Sequence, residues 1–283
     1  MIRFLAILVG FGFLAATGCS FINGFGTWIG TEEVQTAEDK YLKHAHAEHW
    51  SFSGPFGHFD QQQLQRGFRV YRDACSGCHS LKYVAFRNLE EIGYSEAEVR
   101  AIADQWPIQV PSINPQDGAP NTRKALPSDQ FPNPFPNPTA ARAANNNAVP
   151  PDLSLIVKAR EGGADYIHAL LVGYGDAPAD VEVGAGLHYN PYFHGLAIAM
   201  PRPLNTDGQV TYTDGTEATV DQMARDVTAF LMWSAEPNLQ KRHQMGWAVL
   251  IFLFFATLLA YFAYRNVWAD KKPKKKKKDE ATA

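Results

Sequence analysis

The chain has 283 residues, 46% of them hydrophobic and 19% charged, with a formal net charge of −3. That apolar content is enough for a packed core and excludes a disordered protein, and the length accommodates one large or two modest domains. The charge is segregated: residues 20–243 carry 17 Lys and Arg against 26 Asp and Glu, whereas residues 265–283 carry 8 basic against 3 acidic residues. An acidic body and a basic tail imply two different surroundings.

Arg3 followed by the apolar stretch Phe4 to Ala16 has the form of a signal peptide, with Ala16-Thr17-Gly18 as a loose small-residue cleavage site. No charge appears between Arg3 and Glu32, so a retained anchor fits residues 1–30 as well, and Cys19 partly resembles a lipidation site. The polar segment 31–59 carries His44, His46, His49 and His58. Without accompanying cysteines or carboxylate spacing it reads as a solvated lead-in, not a metal site.

From Gln61 to Ala74, Leu64, Phe68 and Tyr71 recur at helical spacing. The helix leads into Cys75-Ser76-Gly77-Cys78-His79. Two thiols at this spacing can each form a thioether to a haem vinyl group, and the adjacent histidine can ligate the iron. C-x-x-C-H is the c-type haem attachment signature. A zinc site would need four ligands, and Cys19 is the only other cysteine. A redox dithiol would be expected in a βαβ context that is missing here.

Ser95 to Glu98 forms a capping box opening a short helix that Trp106-Pro107 closes. Eleven prolines between Pro107 and Pro151 predict irregular chain without sheet, and the embedded aromatics suggest that it wraps something. Short helices are expected at 152–159 and 165–172, a glycine-rich loop at 173–186, and a small β-ribbon near 209–213. Thr219 to Gln222 forms a second capping box, and the helix it opens puts Val220, Met223, Val227, Phe230 and Leu231 on one face. No phosphate-binding loop, dinucleotide fingerprint or nucleophile elbow is present, which argues against nucleotide binding and serine hydrolysis.

The uncharged run from Gln244 to Tyr264 has 21 residues, matching the ~20 that cross a bilayer as a helix. Trp247, Tyr261, Tyr264 and Trp268 stand near its ends as an aromatic belt. The lysines from Lys271 to Lys278 mark the cytoplasmic side, so the acidic domain is exported. The expected layout is a leader or anchor at 1–30, an exported domain at 31–243, a span at 244–264 and a basic tail at 265–283, with no role in nucleic-acid binding. A haem held by His79 leaves one iron site open. Met200, stiffened by the prolines of Met200-Pro201-Arg202-Pro203, is the favoured second ligand, with His188 and His194 as alternatives.

C-S-G-C-H after Gln65 to Tyr71, together with Ala140 to Ser154 (A-A-R-A-A-N-N-N-A-V-P-P-D-L-S), Asn190 to Phe193, the Met200 loop and one C-terminal span, resembles the cytochrome c1 family from about Trp50 to Trp268. The resemblance implies a mainly α fold: a c-type cytochrome core with long Pro/Gly-rich insertions and a single transmembrane helix. It implies one covalent haem c on Cys75 and Cys78, iron ligation by His79 and Met200, and Arg142 beside a haem propionate. It further implies electron relay from a Rieske iron–sulfur subunit to a cytochrome c, in a dimeric quinol–cytochrome c oxidoreductase that includes cytochrome b. The location implied is the bacterial inner membrane, haem domain periplasmic and C-terminus cytoplasmic. The rivals are another membrane-anchored electron carrier, a haem enzyme or gas sensor with open iron, and a thiol–disulfide exchanger.

Overall fold

The computed structural model describes residues 2–30 and 35–271. Lys272 to Lys278 and Glu32 lie outside the described residues. The chain is mainly helical, with two minimal two-stranded ribbons among the described residues. Two helices at the ends, α1 (Ile2–Gly30) and α9 (Leu239–Val267), are long and apolar enough to cross a membrane, and their apolar windows are not buried in the domain. A cleaved leader and a retained anchor are both compatible with such an α1.

After the one-turn helix α2 (Ala37–Tyr41), α3 (Gln61–Val70) begins at Asp60, whose carboxylate accepts from the Gln62 and Gln63 amides. Its buried Leu64 and Phe68, followed by Tyr71, form the face that the apolar spacing indicated. Helix α4 (Glu96–Asp104) has the expected reciprocal cap: Ser95 Oγ accepts from Glu98 N, and the Glu98 carboxylate accepts from Ser95 N at 2.8 Å. Ahead of α4, a 3₁₀ segment, Phe86–Ile92, buries Phe86, Leu89 and Ile92 completely.

The proline-rich stretch is more ordered than expected. Strands β1 (Val110–Ile113) and β2 (Pro120–Arg123) pair as an antiparallel hairpin, correcting the expectation of no sheet. With only two strands, every strand is an edge, where a missing proline donor can face solvent. Helix α5 (Pro138–Ala144) has Pro138 in its first turn, where its missing N–H costs nothing, and an Asn137 side-chain cap. What the stretch wraps is the protein's own core. Phe131 is 2% exposed, and its ring centroid lies 4.2 Å from Phe86, 5.0 Å from Trp106 and 6.0 Å from Tyr71. Burying one such ring stabilises by roughly 1.5–3 kcal/mol, enough to fix a segment that lacks regular hydrogen bonding. Main-chain bonds from Phe131 N to Val84 O and from Phe86 N to Asp129 O complete the seam.

Helices α6 (Ile156–Ala159) and α7 (Gly163–Val172) follow, then the glycine-rich loop. The expected ribbon near 209–213 does not form. A ribbon pairs β3 (His188–Tyr189) with β4 (Ala197–Ile198) instead, because Asn190 to Leu196 turns the chain back on itself through the Asn190 N to Leu196 O bond. Helix α8 (Val220–Ala235) starts at Thr219, whose hydroxyl accepts from Gln222 N. The expected reciprocal half of that capping box is absent, because Gln222 Nε2 donates to Asp226 Oδ1 at 2.8 Å.

The crossing of α3 and α8 is the centre of the domain. Gly67 makes it possible: a Cβ there would sit on the Asp226 carbonyl oxygen and 2.7 Å from Phe230 Cβ. The same junction buries an ion pair. Arg66 Nε donates to Asp226 at 2.9 Å and Arg66 Nη1 to Asp214 at 2.7 Å, and Asp226 is fully buried. Removing one partner of such a pair would strand the other charge, so the crossing is registered electrostatically as well as sterically.

Candidate haem site

Helix α3 does not run regularly into the cysteines. Tyr71–Cys75 is a π-helical turn, with Ser76 N bonded to Tyr71 O at 2.8 Å. The widened turn is stabilised locally, since Ser76 Oγ donates to Arg72 O at 2.7 Å. Cys75 O then accepts from both Cys78 N (3.1 Å) and His79 N (2.9 Å), coiling Cys75, Cys78 and His79 into one tight turn. Single π turns of this kind recur at functional sites.

Cys75 is partly buried, and burial, followed by the Cys78 charge, pushes its thiol up to about 12. Cys78 is exposed. A dithiol exchanger needs a lowered thiol pKa, and Cys75 is shifted the opposite way, which argues against exchange at this turn.

His79 is half-buried, and its Nδ1 lies 2.7 Å from Pro151 O. A carbonyl can only accept, so Nδ1 carries the proton and Nε2 keeps its lone pair. Burial lowers the imidazole pKa, against the opposing effects of the Pro151 bond and Asp152. The ring is therefore neutral near pH 7, in the tautomer that a metal ligand through Nε2 requires. The Pro151 to Ser154 segment is bolted to the turn: Asp152 accepts from Ser80 Oγ (2.7 Å), Lys82 N (2.8 Å) and Ser154 N (3.0 Å), Leu153 N donates to Ser80 O, and Tyr83 N to Ser154 Oγ. From the other side Tyr71 Oη donates to His79 O at 3.0 Å.

Met200 and Arg142 come from separate elements, and among the described residues no hydrogen bond joins either to the Cys75–His79 turn. Met200 follows β4 in a partly buried loop, and its carbonyl accepts from Tyr174 Oη at 3.0 Å. Arg142 is exposed at the end of α5, donates to Asn147 O at 2.9 Å, and forms no ion pair among the described residues. After α5 and its C-terminal Asn145, two residues adopt positive φ, Asn146 at 47° and Asn147 at 61°, which asparagine tolerates. Asn146 Nδ2 then donates to Gly186 O at 3.0 Å, tying α5 to the glycine-rich loop. Of the alternative ligands, His194 is 90% exposed and paired with Glu38 at 3.0 Å. His188 is exposed on β3, beside an open cavity of about 410 Å³ that includes none of the five expected site residues. The four lead-in histidines are exposed, and among the described residues no group of three metal-ligating side chains assembles.

The donor set fits a covalent haem: two sulfurs on one turn, a neutral imidazole with a fixed tautomer, and a guanidinium left without a carboxylate. Sequence reasoning missed the parts that hold this set, namely Pro151, Asp152, Tyr71 and Tyr174. Pro150-Pro151-Asp152 was visible as a motif, but a carbonyl acceptor leaves no side-chain signature.

The Cytochrome C1 family matches residues 50–271. The chain belongs to the cytochrome c1 family. It is 47% identical to the mitochondrial cytochrome c1 heme protein of Saccharomyces cerevisiae, over 87% of this chain and 78% of the yeast protein. It is 44% identical to cytochrome c1 of Rhodospirillum rubrum, over 80% of this chain and 88% of that protein. It is 48% identical to the cytochrome b/c1 protein of Bradyrhizobium diazoefficiens over 78% of this chain, which spans about a third (35%) of that longer protein. Cytochrome c1 proteins carry one covalently attached haem c and are the haem-containing electron-transfer subunit of the bc1 complex, beside cytochrome b and the Rieske protein. Membership makes this chain a haem c protein of electron transport.

Proposed function

We propose that this cytochrome c1 relays single electrons from a Rieske iron–sulfur protein to a cytochrome c, within a dimeric quinol–cytochrome c oxidoreductase of a bacterial inner membrane. Cys75 and Cys78 would form the thioethers, His79 Nε2 and the Met200 thioether would ligate the iron, and Arg142 would pair with a propionate. When bound, the haem supplies the one-electron couple. The residues of the chain do the rest. Pro151 O holds the proton on His79 Nδ1, Tyr71 and Asp152 fix the turn, and Tyr174 steadies the backbone that presents Met200. Thioether ligation opposite histidine raises the potential, which suits exchange between fairly oxidising partners.

In this reading residues 31–243 form the periplasmic domain, 244–264 cross the bilayer and 265–283 lie in the cytoplasm. The acidic domain favours a basic acceptor. Several carboxylates that sequence suggested for docking are engaged within the domain: Asp180 with Lys40, Glu96 with Arg100 and Glu98 with the Ser95 cap. Among the described residues Glu90, Asp176 and Glu182 pair with no cation, and they are left for the acceptor.

The observation that carries the reading is the 2.7 Å contact between His79 Nδ1 and Pro151 O in a C-x-x-C-H turn. The test is Met200→Ala in the membrane-purified protein. The variant is expected to keep haem through acid–acetone extraction, to lose potential and to bind carbon monoxide when reduced, whereas the parent protein binds it poorly. A parent protein that binds carbon monoxide readily would mean an open iron and a sensor or enzyme. Purification without a b-type cytochrome and a Rieske protein would remove the complex.

A further inference from the structure

The most exposed large apolar side chain between α2 and α9 is Phe56, at 78% exposure, and it stands against the membrane helix. The turn that carries it, Ser53 to His58, is rooted in the core. Phe52 and Phe59 flank it, both buried, with ring centroids 5.5 Å apart, and Phe52 stacks on Trp50 at 5.4 Å. Bonds from Ser53 N to Trp50 O, Gly57 N to Gly54 O and His58 N to Ser51 O close the loop. Gly54 sits at a φ of +77°, and a Cβ at Gly57 would collide with the Phe52 carbonyl, so both glycines are required for this turn. The tip is thus a rigid projection, not a slack loop.

That projection meets the first turns of α9. The Phe56 ring stacks on Trp247, with centroids 5.1 Å apart and planes 11° from parallel. Trp247 Nε1 donates to Pro55 O at 3.4 Å, and His243 Nδ1 lies 3.2 Å from Gly57 O. His243 and Trp247 are one helical turn apart, on the same face of α9, so they grip the turn at two points. Trp247 is the first aromatic of the uncharged run and itself 40% exposed, and Lys241, also exposed, lies one and a half turns nearer the domain. Tryptophan at the edge of a span, with a cation just outside it, marks the depth of the lipid headgroups. A phenylalanine stacked on that tryptophan is at the same depth.

We propose that the Gly54–Gly57 turn is a second membrane contact, with Phe56 entering the boundary between headgroups and acyl chains beside Trp247. Anchored by α9 alone, the haem domain would be free to tilt and swivel. A rigid second contact, offset from the helix axis, fixes the domain's orientation to the bilayer. The inference rests on the reading that residues 244–264 span the membrane.

The test places a nitroxide label at Phe56→Cys and, separately, at Leu253→Cys in mid-helix. Both are made in a Cys19→Ser background in the membrane-embedded complex, with the unsubstituted background subtracted. Collision rates with oxygen and with a water-soluble nickel chelate report lipid and water access. Phe56 is exposed, so its replacement leaves folding intact, and haem absorbance confirms this. At position 56 the ratio of oxygen to nickel access is expected to exceed that of a label at exposed Gly118→Cys several-fold, approaching that at 253. Nickel access at 56 matching Gly118→Cys would put the turn in water and overturn the proposal. Loss of access to both agents would mean that a neighbouring subunit covers the turn, and would overturn it too. Water access at 253 would instead defeat the spanning reading itself.

Discussion

Replacing Gly67 by alanine tests whether the α3–α8 crossing organises the domain. The added Cβ would lie on the Asp226 carbonyl oxygen and 2.7 Å from both the Asp226 carbonyl carbon and Phe230 Cβ. Ordinary carbon contacts fall at ~3.5 Å, so the facing backbone must retreat by about 0.8 Å or more. It is poorly placed to do so, because Asp226 is held through its side chain by Arg66 at 2.9 Å and Phe230 is fully buried among Phe68, Tyr71 and Trp233. Overpacking of this kind costs ~1–3 kcal/mol or more, offset by the ~1 kcal/mol that alanine gains over glycine in a helix. Because the clash is with a backbone oxygen, the cost lies at the upper end and the net expectation is a loss of about 2 kcal/mol, or ~4–8 °C in Tm for a domain of this size. Thermal unfolding of the detergent-solubilised protein, followed by circular dichroism, reads it. Gly175→Ala, where nothing lies within 4 Å, is the control and should move stability by less than ~0.5 kcal/mol. A Gly67→Ala protein as stable as that control would refute the claim that close backbone approach sets the crossing.

Three further outcomes are expected. Asp152→Ala leaves Ser80 Oγ, Lys82 N and Ser154 N without their acceptor, at about 1–3 kcal/mol for each group that stays buried. Covalent haem yield per unit of folded protein should fall, whereas Asp152→Asn, which keeps one acceptor oxygen, should fall less. Tyr174→Phe removes the 3.0 Å bond to Met200 O and should cost about 0.5–1.5 kcal/mol. It should raise carbon monoxide binding by the reduced protein while leaving the thioethers intact. The Asp129 carboxyl is held below its usual range, first by the Arg123 guanidinium, against burial and with help from the Leu126 amide. A carboxyl lowered in the folded state adds stability that is complete above its unfolded value of ~3.9 and is lost as pH falls through the lower folded value. Denaturation between pH 5 and 2 should therefore show a steeper loss for the parent than for Asp129→Asn.

Features that depend on a few consecutive side chains were legible in the sequence: the C-x-x-C-H turn, the Ser95 cap, the apolar face of α3 and the long apolar helix ending at Val267. Features that depend on backbone groups distant in sequence were not. The partner of His79 is a carbonyl 72 residues away. Tyr174 reaches a carbonyl 26 residues away. The π turn at Tyr71–Cys75 is invisible to apolar periodicity, since it differs from a continued helix by a single shifted hydrogen bond. The β-ribbon went wrong for a related reason. The polar Gln209 to Thr213 stretch has strand-like residues, but pairing was decided by the Asn190–Leu196 turn, where the Asn190 side chain bonds both Tyr192 N and Leu170 O.

The two sides of the site are held unequally. The Cys75–His79 turn grows out of α3, and α3 is locked to α8 by Gly67, by Phe68 on Phe230 and by the Arg66 pair. The Pro151–Ser154 segment adds five more hydrogen bonds to residues 79–83 and one within itself. Met200 sits on a loop and Arg142 on the short helix α5, both fixed by a few exposed or half-buried contacts, chiefly Tyr174 to Met200 O and Asn146 to Gly186 O. Loops with few buried contacts open at lower free energy than packed helices. The attachment side is therefore part of the domain's cooperative core, whereas the Met200 loop, proposed above as the other side of the haem site, would be a separate, weaker closure. An electron carrier needs that closure only to keep small molecules off the iron and to set the potential. Attachment must outlast it, and the covalent sulfurs are placed on the side that the core protects.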